Sequence, residues 1–244
     1  MFASSFKKST TMIEEKYANT TIGEIVTKDF RAAEIFKNAG IDFCCGGNKS
    51  LSQACKDKGI DKAVIEKELI SLEQIPAEGS QNFNEWDLGF LCDYIKNTHH
   101  KFVLRTLPEL IYYTQKIASV HGDSHHELKE IELLFSRINE ELREHLAKEE
   151  EVLFPAIKEV ISNTGSGSKS MILSEISRMK DEHEAAGGAM DKINELSNQY
   201  KVPEDGCNTY QVTYKLLRKF EDDLHVHVHL ENNILYPKAL KLIN

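Results

Sequence analysis

Two stretches of this chain repeat one another. EHLAKEEEVLFP (144–155) and VHVHLENNILYP (226–237) both read His-x3-Glu-x2-[Val/Ile]-Leu-[Phe/Tyr]-Pro, which aligns His145 and Glu149 with His227 and Glu231. Upstream of each lies a lone histidine, His100 at 45 residues before His145 and His183 at 44 before His227. Agreement in residue type and in spacing restricts the fold to two related halves. Each half is a pair of segments that presents one histidine and one His-x3-Glu.

Within the second copy, HVHVHLE (225–231) alternates as a β-strand does, which would put three rings on one face. The wider apolar spacing decides for helix. From Trp86 onward, apolar residues recur at steps of three and four over about 86–120, 127–162, 170–199 and 209–242. NTGSGSKS (163–170) and QYKVPEDGCN (199–208) separate the last three segments. Four long helices with short connections predict an up-and-down bundle over 86–244.

The second segment carries the stripe Ile131, Phe135, Ile138, Leu142, His145, Glu149, Val152 and Ala156. The third carries Ile172, Ile176, Met179, His183, Ala186, Met190 and Ile193, and the fourth Leu216, Phe220, Leu224, His227, Glu231 and Ile234. Only His227 of its trio falls on the stripe; His225 and His229 read as flanking or solvent-facing. In the first segment, His100 shares a face with Val103, Leu107 and Ile111, and His99 shares one with Leu91, Ile95 and Phe102. Periodicity leaves both open, and the repeat spacing favours His100.

Carboxylates on inward faces are costly. A buried one costs several kcal/mol unless it is paired or bound to metal. An i,i+4 pair lets one helical turn offer an imidazole and a carboxylate to the same point. His100, His145, Glu149, His183, His227 and Glu231 are therefore candidate metal ligands. Four imidazoles and two carboxylates suit two borderline cations, with two histidines each and glutamates able to bridge. Zinc, manganese and iron all satisfy that count. Structural zinc favours a closed tetrahedral site with thiolates, and no cysteine falls on these stripes. Pairs with open positions suit iron redox and small-gas chemistry.

The rest of the chain is smaller in scale. Residues 1–20 are polar and aperiodic, without the apolar run of a signal peptide. Residues 21–76 read as a small helical domain, with capping boxes at Thr21-x-x-Glu24 and Ser50-x-x-Gln53 and a helix from Phe30, capped by Asp29, that stops at Gly40. PAEGSQNFN (76–84) carries turn and linker residues, and the linker is placed at 77–85. A net charge of −9 without a basic stripe argues against nucleic acid and anionic membrane as partners. No stretch approaches a membrane span. Five cysteines, two of them adjacent, argue against a secreted disulfide framework and place the chain in the cytoplasm.

AGIDFCCGG, LPELI, EELREHLAKEEEVLFPAI, DEHEAAG and DDLHVHVHLENNILYPKAL carry a family resemblance. The C-terminal 160 residues resemble a hemerythrin-like four-helix domain. The chain from about residue 21 resembles the RIC family of iron–sulfur cluster repair di-iron proteins. The family's ligands fall on the same six residues reached by spacing. Oxygen-carrying hemerythrins fit less well, because their fifth histidine belongs to a His-x3-His pair and here Leu104 and Gly187 follow His100 and His183 at that distance.

The resemblance implies a cytoplasmic stress-response protein that repairs iron–sulfur clusters damaged by nitric oxide or peroxide. Its cofactor would be two non-haem iron ions with oxo and carboxylate bridges. Its partners would be damaged iron–sulfur proteins, with nitric oxide or oxygen as small ligands; the sequence leaves a homodimer open. Rival readings are a gas-binding or sensing module, nitric oxide or peroxide reduction at the same centre, and inert structural zinc.

Glu141, one turn before His145, and Glu182, beside His183, are candidates to orient a ring or hold a proton. Gly187-Gly188 marks close packing or an entry route within a helix. Cys44 and Cys45 sit in a Gly-rich turn whose N–H groups could lower a thiol pKa, as a thiol relay or an acceptor of iron or nitrosyl groups. A packed pair of reduced thiols is the plainer reading. Cys55, Cys92 and Cys207 read as structural or incidental.

Overall fold

The computed structural model describes residues 17, 20–76, 82–162 and 169–243. Most of the polar lead-in, residues 77–81 of the expected linker and most of NTGSGSKS lie outside the described residues. Regular structure among the described residues is helical, apart from one isolated antiparallel bridge between Thr21 and Ser50. The chain divides into two compact units: Met1–Trp86 with His229–Pro237, and Asp87–Val228 with Lys238–Asn244.

The first unit holds α1 (Ile22–Lys28), α2 (Ala32–Asn38), α3 (Leu51–Lys58) and α4 (Lys62–Glu73). Thr21 opens α1 with a complete capping box: its hydroxyl accepts from Glu24 N at 3.2 Å, and the Glu24 carboxylate accepts from Thr21 N at 2.9 Å. The Ser50 box is half-formed. Its hydroxyl accepts from Gln53 N, but the Gln53 amide turns to Asp57 instead.

Helix α2 starts two residues later than expected. Asp29 does not cap it, because the Arg31 main-chain N–H and guanidinium both donate to the Asp29 carboxylate. Part of PAEGSQNFN is also ordered: Phe83–Glu85 forms a 3-10 turn, and Phe83 is buried against Phe30 and Trp86. A buried aromatic ring overrides the linker composition.

The second unit is the bundle. Its first helix is built from α5 (Leu88–Ile95) and α6 (Lys101–His121), its second from α7 (Glu127–Lys148) and α8 (Phe154–Ile161). The third is α9 (Lys169–Leu196), and the fourth is α10 (Asn208–His229) continued by α11 (Tyr236–Ile243), a helix whose stretch His229–Pro237 counts with the first unit. The expected α9 stripe is buried residue for residue, from Ile172 to Ile193. Phe135 of α7 meets Phe220 of α10 edge-on, with ring centroids 5.4 Å apart.

Single π-helical turns interrupt three of these helices at Lys96–His100, Glu149–Leu153 and Leu230–Leu235. Each adds a residue to the turn and shifts the faces beyond it. Two expectations change as a result. Val152, placed on the core stripe by α-helical stepping, is 37% exposed, while Leu153 and Phe154 are buried in its place. His99 and His100 are both buried, which is why helical periodicity could not separate them. Upstream, on α10, the buried position is Leu217 rather than Leu216.

Truncating the fully buried Phe135 to alanine should cost about 3–5 kcal/mol. The exposed Leu133→Ala on the same helix should cost within about 0.5 kcal/mol. Urea unfolding of the two variants measures the difference.

Candidate metal centre

The π turn at Lys96–His100 and the end of α7 bring His100, His145 and Glu149 together. All three are at most 2% exposed. One Glu149 oxygen lies 3.4 Å from His100 Nε2 and 3.3 Å from His145 Nε2, so a single carboxylate faces two rings. His100 Nε2 lies 3.1 Å from His227 Nε2, and His145 Nε2 lies 3.0 Å from His183 Nε2.

The far sides of two rings are held by acids. His145 Nδ1 donates to Glu182 at 2.8 Å, and His100 Nδ1 donates to Glu150 at 3.0 Å. Burial raises the pKa of each of these carboxyls, but hydrogen bonds outweigh it and the net shift is downward. For Glu150 the donors are Lys96 and His100; for Glu182 they are His145 and Lys148. An ionised carboxylate can only accept, so Nδ1 carries the proton and Nε2 presents its lone pair inward.

The inward lone pairs of His100 and His145 face His227 Nε2 and His183 Nε2 at 3.1 and 3.0 Å, so each pair takes a ring proton or a metal ion between its nitrogens. The donor atoms fall into two groups, each with all atoms within 4.8 Å of one another. One is His100, Glu149, His227 and Glu231; the other is His145, Glu149, His183 and Glu231. Both glutamates occur in both groups. Imidazole nitrogens oriented by carboxylates, around two buried carboxylates, are a donor set that fits a metal cation.

Comparison with known proteins agrees with this chemistry. Residues 94–239 match the hemerythrin HHE cation binding domain, and residues 18–73 match a domain of unknown function, DUF542. Over 224 residues the chain is 35% identical to the iron–sulfur cluster repair protein YtfE of Escherichia coli O8 (strain IAI1), across 92% of this chain and 98% of that protein. It is 33% identical over 225 residues to YtfE of Yersinia pseudotuberculosis serotype O:1b (strain IP 31758), with the same coverage. The chain belongs to the YtfE family of iron–sulfur cluster repair proteins.

Around this YtfE-family centre, sequence reasoning missed some residues and misplaced others. Glu150, with Lys96 behind it, lies off the apolar stripe and reaches a different helix, so no periodic signal marks it. Of the two expected acids, Glu182 holds a ring, whereas Glu141 is exposed. His99 bonds Asp223 at 3.1 Å through Nδ1 and belongs to neither donor group. His229, expected to be flanking or solvent-facing, is fully buried between Phe30 and Phe43 and accepts from Asn233 at 3.1 Å. Burial pushes its pKa down to about 4. A Cβ at Gly188 would meet open space, so close packing does not explain that glycine.

The DUF542 part of this family member carries the adjacent cysteines. The expectation of a lowered thiol pKa fails for Cys44. The turn N–H groups of Cys44, Cys45 and Gly46 donate to the Asp42 carboxylate, not to sulfur. The Cys45 sulfur, burial and Asp42 all push the Cys44 thiol well above its usual range. The Sγ atoms lie 4.0 Å apart, and Asp42, Cys44 and Cys45 have donor atoms within 4.8 Å of one another.

Cys207, read as structural or incidental, is the thiol whose pKa is lowered. It is exposed just before α10, with His121 Nε2 3.2 Å from its sulfur. His121 first, then the N–H groups of Tyr210 and Thr209, bring its pKa down to about 7. Alkylation of Cys207, followed by peptide mass spectrometry, should therefore be half-maximal near pH 7 (about 7). His121→Gln should move that midpoint up toward an ordinary thiol at about 8.5.

Proposed function

We propose that this chain holds two iron ions in its bundle and uses them to repair iron–sulfur clusters damaged by nitrosative or oxidative stress. His100 and His227 would hold one ion, His145 and His183 the other, and Glu149 and Glu231 would bridge them. The observation that carries this reading is that both donor groups contain both glutamates. The names of the relatives, iron–sulfur cluster repair proteins, support the same reading.

Bound iron supplies one-electron chemistry, affinity for nitric oxide or oxygen and, as cargo, the metal that a damaged cluster lacks. The chain's own residues set how firmly it is held. Glu150 and Glu182 fix the tautomers of His100 and His145 and keep each Nε2 available. Two carboxylates shared between two cations leave residual positive charge, which favours an additional bridge and exchange at open positions. Damaged iron–sulfur proteins are the partners in this scheme, and the cytoplasm is its compartment. The five free cysteines are in keeping with a reducing milieu. No described helix is long and apolar enough to cross a membrane.

Aerobically purified protein should contain about two irons per chain by this donor count, with the absorption of a bridged ferric pair. A zinc-filled, iron-free preparation would overturn the assignment. Glu149→Leu and Glu231→Leu should each lose iron. Loaded protein should reactivate a damaged cluster enzyme under conditions where free iron does not; reversible gas binding without reactivation would favour a sensor.

Removing the outer carboxylates gives a graded test. Glu150→Gln and Glu182→Gln should weaken iron binding about 10- to 100-fold in competition with a chelator. The exposed Glu141→Gln should leave it unchanged.

A further inference from the structure

Away from the bundle centre, α9 and α10 gather another set of donors. The carboxylates of Asp191 and Glu221 and a ring nitrogen of His225 all lie within 4.8 Å of one another. Glu221 and His225 are one turn apart on α10, and Asp191 comes from α9. Asp191 is exposed, His225 half-buried and Glu221 only 5% exposed, so the group runs inward from solvent.

Glu221 is an expensive residue to bury here. Asn194 donates to both of its oxygens, at 3.2 and 3.0 Å. Burial foremost, and then the like charges of Asp191 and Asp222, push its pKa up to about 7, with Asn194 and the neighbouring Tyr200 hydroxyl acting the other way. A cation at this point would offset the burial of the charged form.

Tyr200 supplies an independent observation. It is 6% exposed, and its hydroxyl completes no hydrogen bond of normal geometry among the described residues. That hydroxyl lies close enough to Glu221 for the carboxylate to raise the phenol pKa further, after burial. The backbone that places it is strained: Asn198, Gln199 and Tyr200 all have positive φ, at 49°, 60° and 60°. The nearby cation Arg218 is turned away, donating to the Gln199 carbonyl and stacking 5.7 Å from the Tyr200 ring centroid.

We propose that Asp191, Glu221 and His225 form a separate binding site for a divalent first-row metal cation, with the Tyr200 hydroxyl beside it. One imidazole and two carboxylates are the borderline-to-hard donor set such ions take. Asp191 lies eight residues beyond His183 on α9, about 12 Å of helix rise, and Glu221 six before His227 on α10, about 9 Å; His225 is only two residues from His227 but belongs to neither bundle donor group. The site is therefore distinct from the bundle centre and stands whichever metal that centre holds.

The test adds manganous ion to the full-length, iron-loaded protein and follows loss of the free-ion signal by electron paramagnetic resonance. The quantity read is the difference between the wild type and Asp191→Asn, a change at an exposed position. The expected difference is one equivalent of bound manganese, with His225→Gln losing the same equivalent and both variants keeping the wild-type iron content. Glu149→Leu, which disturbs the bundle centre, should retain that equivalent. Equal manganese uptake by the wild type, Asp191→Asn and His225→Gln would overturn the proposal and leave only adventitious surface binding. Absence of iron from the bundle would count against the repair function but not against this difference.

Discussion

Glu149 has no exposed surface, and one of its oxygens sits within 3.4 Å of two imidazole nitrogens from different helices. A lone carboxylate in such a place is untenable, so its surroundings must supply positive charge or donors. The rings that face it are oriented from behind by Glu150 and Glu182, which are braced in turn by Lys96 and Lys148. Acids and nitrogen groups alternate outward from the centre: carboxylate, imidazole, carboxylate, ammonium. The apolar stripes of α7 and α9 continue on both sides of this polar layer and hold it in register.

The helices deform where they carry the buried donor residues. Each of the three π turns includes or adjoins a donor: His100, Glu149 or Glu231. A regular α-helix cannot give every donor the same inward heading while also burying its apolar neighbours. One extra residue per turn re-aims a side chain without breaking the helix. The consequence appears within and just after the turn, where Leu153 and Phe154 take the buried places and Val152 is left partly exposed.

The adjacent cysteines of the first unit follow a different logic. Asp42 collects the turn's N–H groups, so the turn stabilises a carboxylate rather than a thiolate. Asn233 fastens the same turn by donating to the Phe43 and Cys44 carbonyls. Its side chain explains a glycine: a Cβ on Gly47 would stand 2.5 Å from Asn233 Oδ1. Thiolate character is found instead at Cys207, where a histidine and a helix N-terminus act on one exposed sulfur.

The helical class, the four long segments and the family were legible in the sequence because burial on a helix leaves a periodic trace. Duplication of His-x3-Glu made that trace specific. Tertiary structure alone decided what depends on contacts between segments distant in the chain. His99 turns to Asp223 while His100 joins a donor group; Glu150 and Glu182 meet rings on other helices; His229 is buried by Phe30 and Phe43. Periodicity reports which face of a helix is covered. It carries no record of what covers it, nor of a π turn that moves the face by one residue.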